Sequence, residues 1–147
     1  MRYLITTIDT EVDCDLQWRI SNPTAFSSVL EGIPGVLTPF FERHGVMPTY
    51  LLSPEVIEEP GCVRVLRELA GRAELGTHLH PEFIEPERRL FRHNMGGQRA
   101  PAVQRQYSAD VEARKLEHLT ARFSEAFGTQ PTAFRAGRYG MSEETLR

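Results

Sequence analysis

The chain has 147 residues, 40% hydrophobic and 25% charged, enough for one domain with a core of its own. No run of about 18 apolar residues suggests a membrane span, and MRYLITTID is too short an apolar stretch for a secretory leader. The net charge of −3 with scattered Lys and Arg argues against nucleic acid, and two cysteines, Cys14 and Cys62, fit a reduced, cytoplasmic setting without a disulfide framework.

Tyr3–Ile8 (YLITTI) is a β-branched run that predicts a buried first strand, ending in Asp9-Thr10-Glu11. A polar loop, Val12–Pro23, follows. The next apolar stripe, Val36, Leu37, Phe40 and Phe41, predicts a helix over Ile33–His44. Pro34 suits its first turn, and Gly45 stops it. Pro39 inside this span would kink it or move its start later. Pro48–Leu52 (PTYLL) reads as strand two, with Ser53-Pro54 opening a polar turn. Val65, Leu66 and Leu69 mark a second helix over Gly61–Arg72. Strand three runs from Glu74 to about His78, and a long loop, Pro81–Tyr107, comes after it.

Ser108 is a good N-cap for the longest helix, Ala109–Phe127, whose apolar side is Leu116, Leu119, Phe123 and Phe127, with Gly128 as its stop. Thr132–Arg135 (TAFR) would be strand four and Ala136–Gly140 a loop. Ser142 looks like the N-cap of one more helix. Strands alternating with helices predict an α/β fold of parallel βα repeats.

Loops at the carboxyl ends of parallel strands converge on one face, where ligands bind. Those ends deliver Asp9, Glu11 and Asp13, then Ser53, then His78 and His80, then Arg135, Arg138 and Tyr139. In extended chain, residues i and i+2 point to the same side, so Asp9 projects with Glu11 and His78 with His80. Two imidazoles and one carboxylate are a ligand set of catalytic zinc, with a fourth position left for water.

Blander readings stand beside each residue. Asp9 would also suit an Asx turn. Arg135 would also serve as a surface cation, although an Arg leaving an apolar strand more often meets a buried carboxylate. His44 ends a helix and offsets its dipole. His93 and His118 are assigned to solvent, and Glu85, Glu87, Arg88 and Arg89 to a solvated loop.

Three segments together resemble the polysaccharide deacetylase superfamily, also called the NodB-homology or carbohydrate esterase family 4 (CE4) group. They are Thr7-Ile8-Asp9-Thr10-Glu11, Glu74-Leu75-Gly76-Thr77-His78-Leu79-His80-Pro81 and Phe134-Arg135-Ala136-Gly137-Arg138-Tyr139-Gly140. They come in the family's order, and the match is to its divergent branch. The resemblance implies a distorted (β/α) barrel and a metal-dependent hydrolase that removes acetyl groups from sugars. It makes Asp9 the general base, His78 a metal ligand and Arg135 the residue that orients the catalytic acid. The second metal-binding acid falls on Glu11, one residue later than in the main branch. The family's second histidine falls on Glu82, so His80 is the available imidazole and Glu82 its alternative. A backbone amide near Tyr139 would help hold the oxyanion, although one extra residue separates the arginine from this aromatic.

The expected ligand set is therefore Glu11, His78 and His80, with zinc as the default metal and cobalt, nickel or iron not excluded by affinity. Arg138 and Tyr139 are expected to meet the substrate, an acetylated (amino) sugar. Alternative readings are a catalytically inactive carbohydrate-binding relic and a hydrolase of a small non-sugar amide. The sequence admits a homo-oligomer. The loop Pro81–Tyr107, with His93-Asn94-Met95-Gly96-Gly97, is where specificity is expected. A closed barrel takes roughly 250 residues, so residues 1–147 are expected to form the N-terminal part of a longer domain, lacking the later motifs that would supply a general acid.

Overall fold

Four parallel strands lie in the order of the chain: β1 (Thr7–Thr10), β2 (Thr49–Leu52), β3 (Glu74–Leu79) and β4 (Phe134–Ala136). The computed structural model describes residues 3–17, 19–21, 23–88, 103–143 and 145. Between the strands run a π-wound segment, Ser28–Leu37, continuing into α1 (Thr38–His44), then α2 (Pro54–Glu58), α3 (Pro60–Arg67) and α4 (Ala109–Phe127). This is the predicted α/β alternation.

The register places the strand ends level. Thr10 pairs with Leu52 and Leu52 with Thr77, so Glu11, Ser53 and His78 come next in one row, and His78 pairs with Arg135. The sheet is also curled. In a flat sheet, three inter-strand spacings would separate β1 from β4 by about 14 Å, yet an Arg135 guanidinium nitrogen lies 2.6 Å from Asp9 Oδ1. The four strands are thus a half-barrel. Gly76 lets β4 approach: a Cβ there would collide with the Ala133 carbonyl and come within 2.8 Å of Leu51.

The core lies between β2, β3 and the helices. Tyr50 and Leu52 from β2 meet Val56, Cys62, Leu66, Leu79, Leu119 and Phe123, with Val29 and Ile33 closing one side. Each fully buried aliphatic side chain contributes about 1.5–3 kcal/mol. Burial pushes the Cys62 thiol up to about 12, which leaves it an inert core residue.

Several expected boundaries move for identifiable reasons. The first strand is not a buried Tyr3–Ile8 run. β1 is an edge strand, only Thr10 in it is buried, and Tyr3, Leu4 and Ile5 are 79–88% exposed. The first helix begins at Ser28, not Ile33, because Asp13 caps it, accepting from the backbone N–H of Ser27 (2.6 Å) and Ser28 (3.1 Å) and from both hydroxyls. Pro34 sits inside the π winding, whose last bond runs from Thr38 N–H to Ile33 O.

The second helix, expected over Gly61–Arg72, is α3 and ends at Arg67, with a separate short helix before it. Pro60 restarts the chain, Glu59 accepts from Gly61 N–H at 3.2 Å, and the polar turn expected at Ser53-Pro54 is α2. Arg88 is not solvated: it makes a two-pronged pair with Glu58 at 2.5 and 2.9 Å. Arg89 and the stretch His93–Gly97 lie outside the described residues.

Helix α4 is the one predicted, capped by Ser108 and stopped by Gly128 at φ 72°. Its buried stripe, however, is Glu112, Lys115, Leu119 and Phe123. Lys115 Nζ donates to the Ile84 carbonyl at 2.8 Å and to that of Pro86, 4.8 Å from the centre of the Tyr107 ring. Glu112 accepts from Gln104 Nε2 at 2.9 Å, from Ser142 at 2.7 Å and from the Thr145 hydroxyl. The helix expected after Ser142 extends outside the described residues; Ser142 itself turns inward to Glu112.

Candidate metal centre

The level strand ends put side chains from β1, β3 and β4, from the loops that follow them and from the start of α2 around one pocket of about 1040 Å³. On β3, His78 and His80 are two residues apart in extended chain, so both rings face inward; they are 3% and 9% exposed. On the loop after β1, Glu11 lies against both. Its Oε1 is 2.9 Å from His78 Nε2 and 3.2 Å from His80 Nε2, and the two Nε2 atoms are 3.0 Å apart. Gly137, just past β4, lets the chain pass over this cluster: a Cβ there would come within 2.6 Å of the Leu79 carbonyl and 3.3 Å of the His80 ring.

These residues fit a divalent metal. Ligand atoms about 2.0–2.1 Å from a tetrahedral centre are about 3.3 Å from one another, a little wider than the 2.9, 3.0 and 3.2 Å found here. His78 Nδ1 donates to the Arg135 main-chain carbonyl at 3.1 Å, which fixes the ring and leaves Nε2 as the free lone pair. Burial opposes the Glu11 charge, but the two imidazoles outweigh it and hold its carboxyl far below the usual range. Burial likewise opposes a charged His80, and Glu11, Glu55 and Glu82 outweigh it, raising its pKa. A cluster that draws protons onto nitrogen in this way has the negative potential that a cation needs.

Beside the cluster stands Asp9, 4.0 Å from His78 Nδ1. Arg135 grips it at 2.6 Å and reaches the Thr7 hydroxyl with its second nitrogen. The structure therefore brings Asp9, Glu11, His78, His80 and Arg135 together. Glu82 is placed differently, paired with Arg138 at 2.8 Å and almost fully buried. Tyr139 lines the same pocket but is 84% exposed. It and Arg138 both take left-handed backbone, φ 51° and 52°, in the turn Gly137–Tyr139. Such residues are uncommon outside glycine and cluster at functional sites. Asp13 also borders the pocket, but both of its oxygens are spent on Ser27 and Ser28.

One pocket residue escapes sequence reasoning. Glu55, 8% exposed, lines the wall from the start of α2, and its Oε2 has no hydrogen-bond partner among the described residues. An unsatisfied buried polar atom costs about 1–3 kcal/mol. Its place three residues past β2 was the available signal, since strand ends in this fold carry the chemistry.

No family model matches the chain, and no curated protein matches it. Among solved structures, it is similar to the Xyl-CE4 domain of a multidomain xylanase from the hindgut metagenome of Trinervitermes trinervoides. The TM-score is 0.57 at 14% identity, over 95% of this chain and 50% of that one. The fold is that of a CE4 domain. The chain spans about half the length of this CE4 neighbour, and its curled four-stranded sheet corresponds to part of a distorted (β/α) barrel. Among the described residues, no helix is long and apolar enough to cross a membrane.

Proposed function

We propose that this chain carries the metal centre of a deacetylase that hydrolyses acetyl groups on an amino sugar, with zinc as the metal. The observation that carries this reading is the convergence of Glu11 Oε1, His78 Nε2 and His80 Nε2 within 3.2 Å of one another, next to an Arg135-held Asp9. The CE4 fold supports it. A divalent metal on these three ligands would polarise an amide carbonyl and lower the pKa of bound water from about 15.7 to about 7.

The protein's own groups supply the rest. Asp9 takes the proton of the attacking water as the general base. Arg135 keeps that carboxylate aimed at the cluster and prevents it from swinging onto the imidazoles. The main-chain N–H groups of the Gly137–Tyr139 turn donate to the oxygen that becomes negative as the tetrahedral intermediate forms. Tyr139, exposed on the rim, offers a flat apolar face to a sugar ring, and Arg138 offers hydrogen-bond donors beside it.

Metal analysis of the purified full-length protein, together with acetate release from N-acetylated sugars and from simple amides, tests the reading. One bound metal per chain and preference for the sugar are expected, with loss of that metal in His78→Ala. Unchanged metal content in His78→Ala, or binding of sugar without turnover, would count against it.

A further inference from the structure

The turn after β4 passes over the ligand cluster in a strained form, and it is held in two different ways. Its ends are held by close packing. A Cβ on Gly137 would come within 2.6 Å of the Leu79 carbonyl and 3.3 Å of the His80 ring, and one on Gly140 would collide with the Val103 side chain. The Gly140 carbonyl also accepts from Arg105 N–H at 3.0 Å. Between these ends, Arg138 and Tyr139 are both left-handed, a backbone that persists only where the surroundings impose it. Here the hold is a side chain from another loop: Glu82 Oε1 lies 2.8 Å from the Arg138 guanidinium.

Glu82 belongs to the turn Pro81–Phe83, two residues past His80. It is 3% exposed, and its Oε2 has no partner among the described residues. A buried carboxylate with one oxygen satisfied is a poor stabiliser, because taking its charge out of water can cost more than one ion pair returns. Among the described residues, the group with metal-ligand spacing is Glu11, His78 and His80, and Glu82 stands outside it, turned to Arg138. What the pair does supply is a fixed link. It ties the turn that begins beside a ligand histidine to the turn that carries Tyr139 on the pocket rim.

We propose that Glu82 is a positioning residue of this site, which acts through Arg138 to hold the turn Gly137–Tyr139 in its left-handed form. The proposal rests on the deacetylase reading above. In that form the turn aims Tyr139 at the sugar and its main-chain N–H groups at the reacting carbonyl. Glu82 itself touches neither metal nor substrate and moves no proton. Without it, the middle of the turn relaxes toward ordinary backbone and Tyr139 leaves its place on the rim.

Function and stability are then expected to move apart. In the full-length, metal-loaded protein, Glu82→Met removes the buried charge and frees Arg138, whose side chain is 45% exposed and turns to water. The unfolding midpoint should stay at or above that of the parent, and metal content should not change. The kcat/KM on an N-acetylated amino sugar should fall by about 30-fold, whereas Glu82→Gln, which keeps an acceptor for Arg138, should lose less than about 5-fold. Arg138→Ala strands the carboxylate and lowers the midpoint. Adding Glu82→Met to it should bring the midpoint back and cost no further activity, because both changes cut one link. Loss of metal in Glu82→Met would make Glu82 a ligand, and a midpoint that falls with the activity would make it a structural residue. Parent-like kcat/KM in Glu82→Met would leave it no role. Each of these outcomes overturns the proposal and leaves the deacetylase reading intact. A parent protein that releases no acetate overturns that reading and this proposal with it.

Discussion

Under α4, Lys115 and Glu112 are as deeply buried as His78 and His80 at the strand ends, yet the two places treat their polar atoms differently. Lys115 spends its ammonium on the Ile84 and Pro86 carbonyls and the Tyr107 ring, and Glu112 accepts from Gln104, Ser142 and Thr145. Among the described residues, Gln104 Oε1 is the one atom of that group without a partner. At the strand ends, Glu11 Oε1, His78 Nε2 and His80 Nε2 crowd within 3.2 Å of one another, and among the described residues Glu55 Oε2 has no donor. Charge buried with its valences filled by the chain holds the chain together. Polar atoms converging on one point have the arrangement proposed above for a metal.

Mutation of each place tests that division. Lys115→Ala opens a cavity and strips the donor from two buried carbonyls, and is expected to cost about 3–5 kcal/mol in denaturant unfolding. Metal content per folded molecule should not change. A loss under about 1 kcal/mol would show that the clamp is decorative.

Arg135→Ala should do the opposite. A fall in kcat of about 100-fold, equivalent to about 2.7 kcal/mol, is expected with metal retained, because the carbonyl that orients His78 belongs to the Arg135 main chain and survives the substitution. Loss of metal in this variant would place Arg135 in the support of the ligands, not of Asp9.

Asp13→Ala gives the smallest effect and the sharpest distinction. Asp13 borders the pocket but has its oxygens filled, so the variant should lose about 1 kcal/mol of stability, the worth of an N-cap, and no metal. Burial opposes its charge, and the Ser28 and Ser27 bonds outweigh that and lower its pKa below 3.8. Its contribution is thus complete above pH 3.8 and fades as pH falls through the lowered value. Unfolding curves of parent and variant should converge in acid. A gap that persists there would mean the carboxylate charge is not what caps the helix.

Much of this was legible in the sequence because it is local. Histidines two apart in a short strand must share a face, and Asp9 and Glu11 follow the same rule, so the candidate ligands could be named from spacing. Gly45, Ser108 and Gly128 end or begin their helices through backbone chemistry of their own. What was not legible depends on distant partners. Glu55 reads as part of a polar turn, and only the packing of the folded chain around α2 buries it. The Ser28 start depends on Asp13, fourteen or more residues earlier in the chain. Tyr3, Leu4 and Ile5 have the composition of a core strand, but they lie before the short edge strand β1 and stay exposed. Lys115 and Glu112 could have been found. Extending the Leu119–Phe123 stripe one and two turns toward the helix start lands on both.

The left-handed pair Arg138–Tyr139 carries a consequence for anyone who wishes to improve this protein. Each such residue costs about 1–3 kcal/mol that glycine would not, so glycine at Tyr139 should raise the melting temperature, whereas at Arg138 the loss of the partner of buried Glu82 offsets that gain. Glycine would also remove the side chain that the awkward turn exists to display: the aromatic on the rim, or the guanidinium that meets Glu82. A screen that selects for heat resistance alone would therefore drift toward glycine at Tyr139 and, on the function proposed above, would trade away a group that meets the substrate.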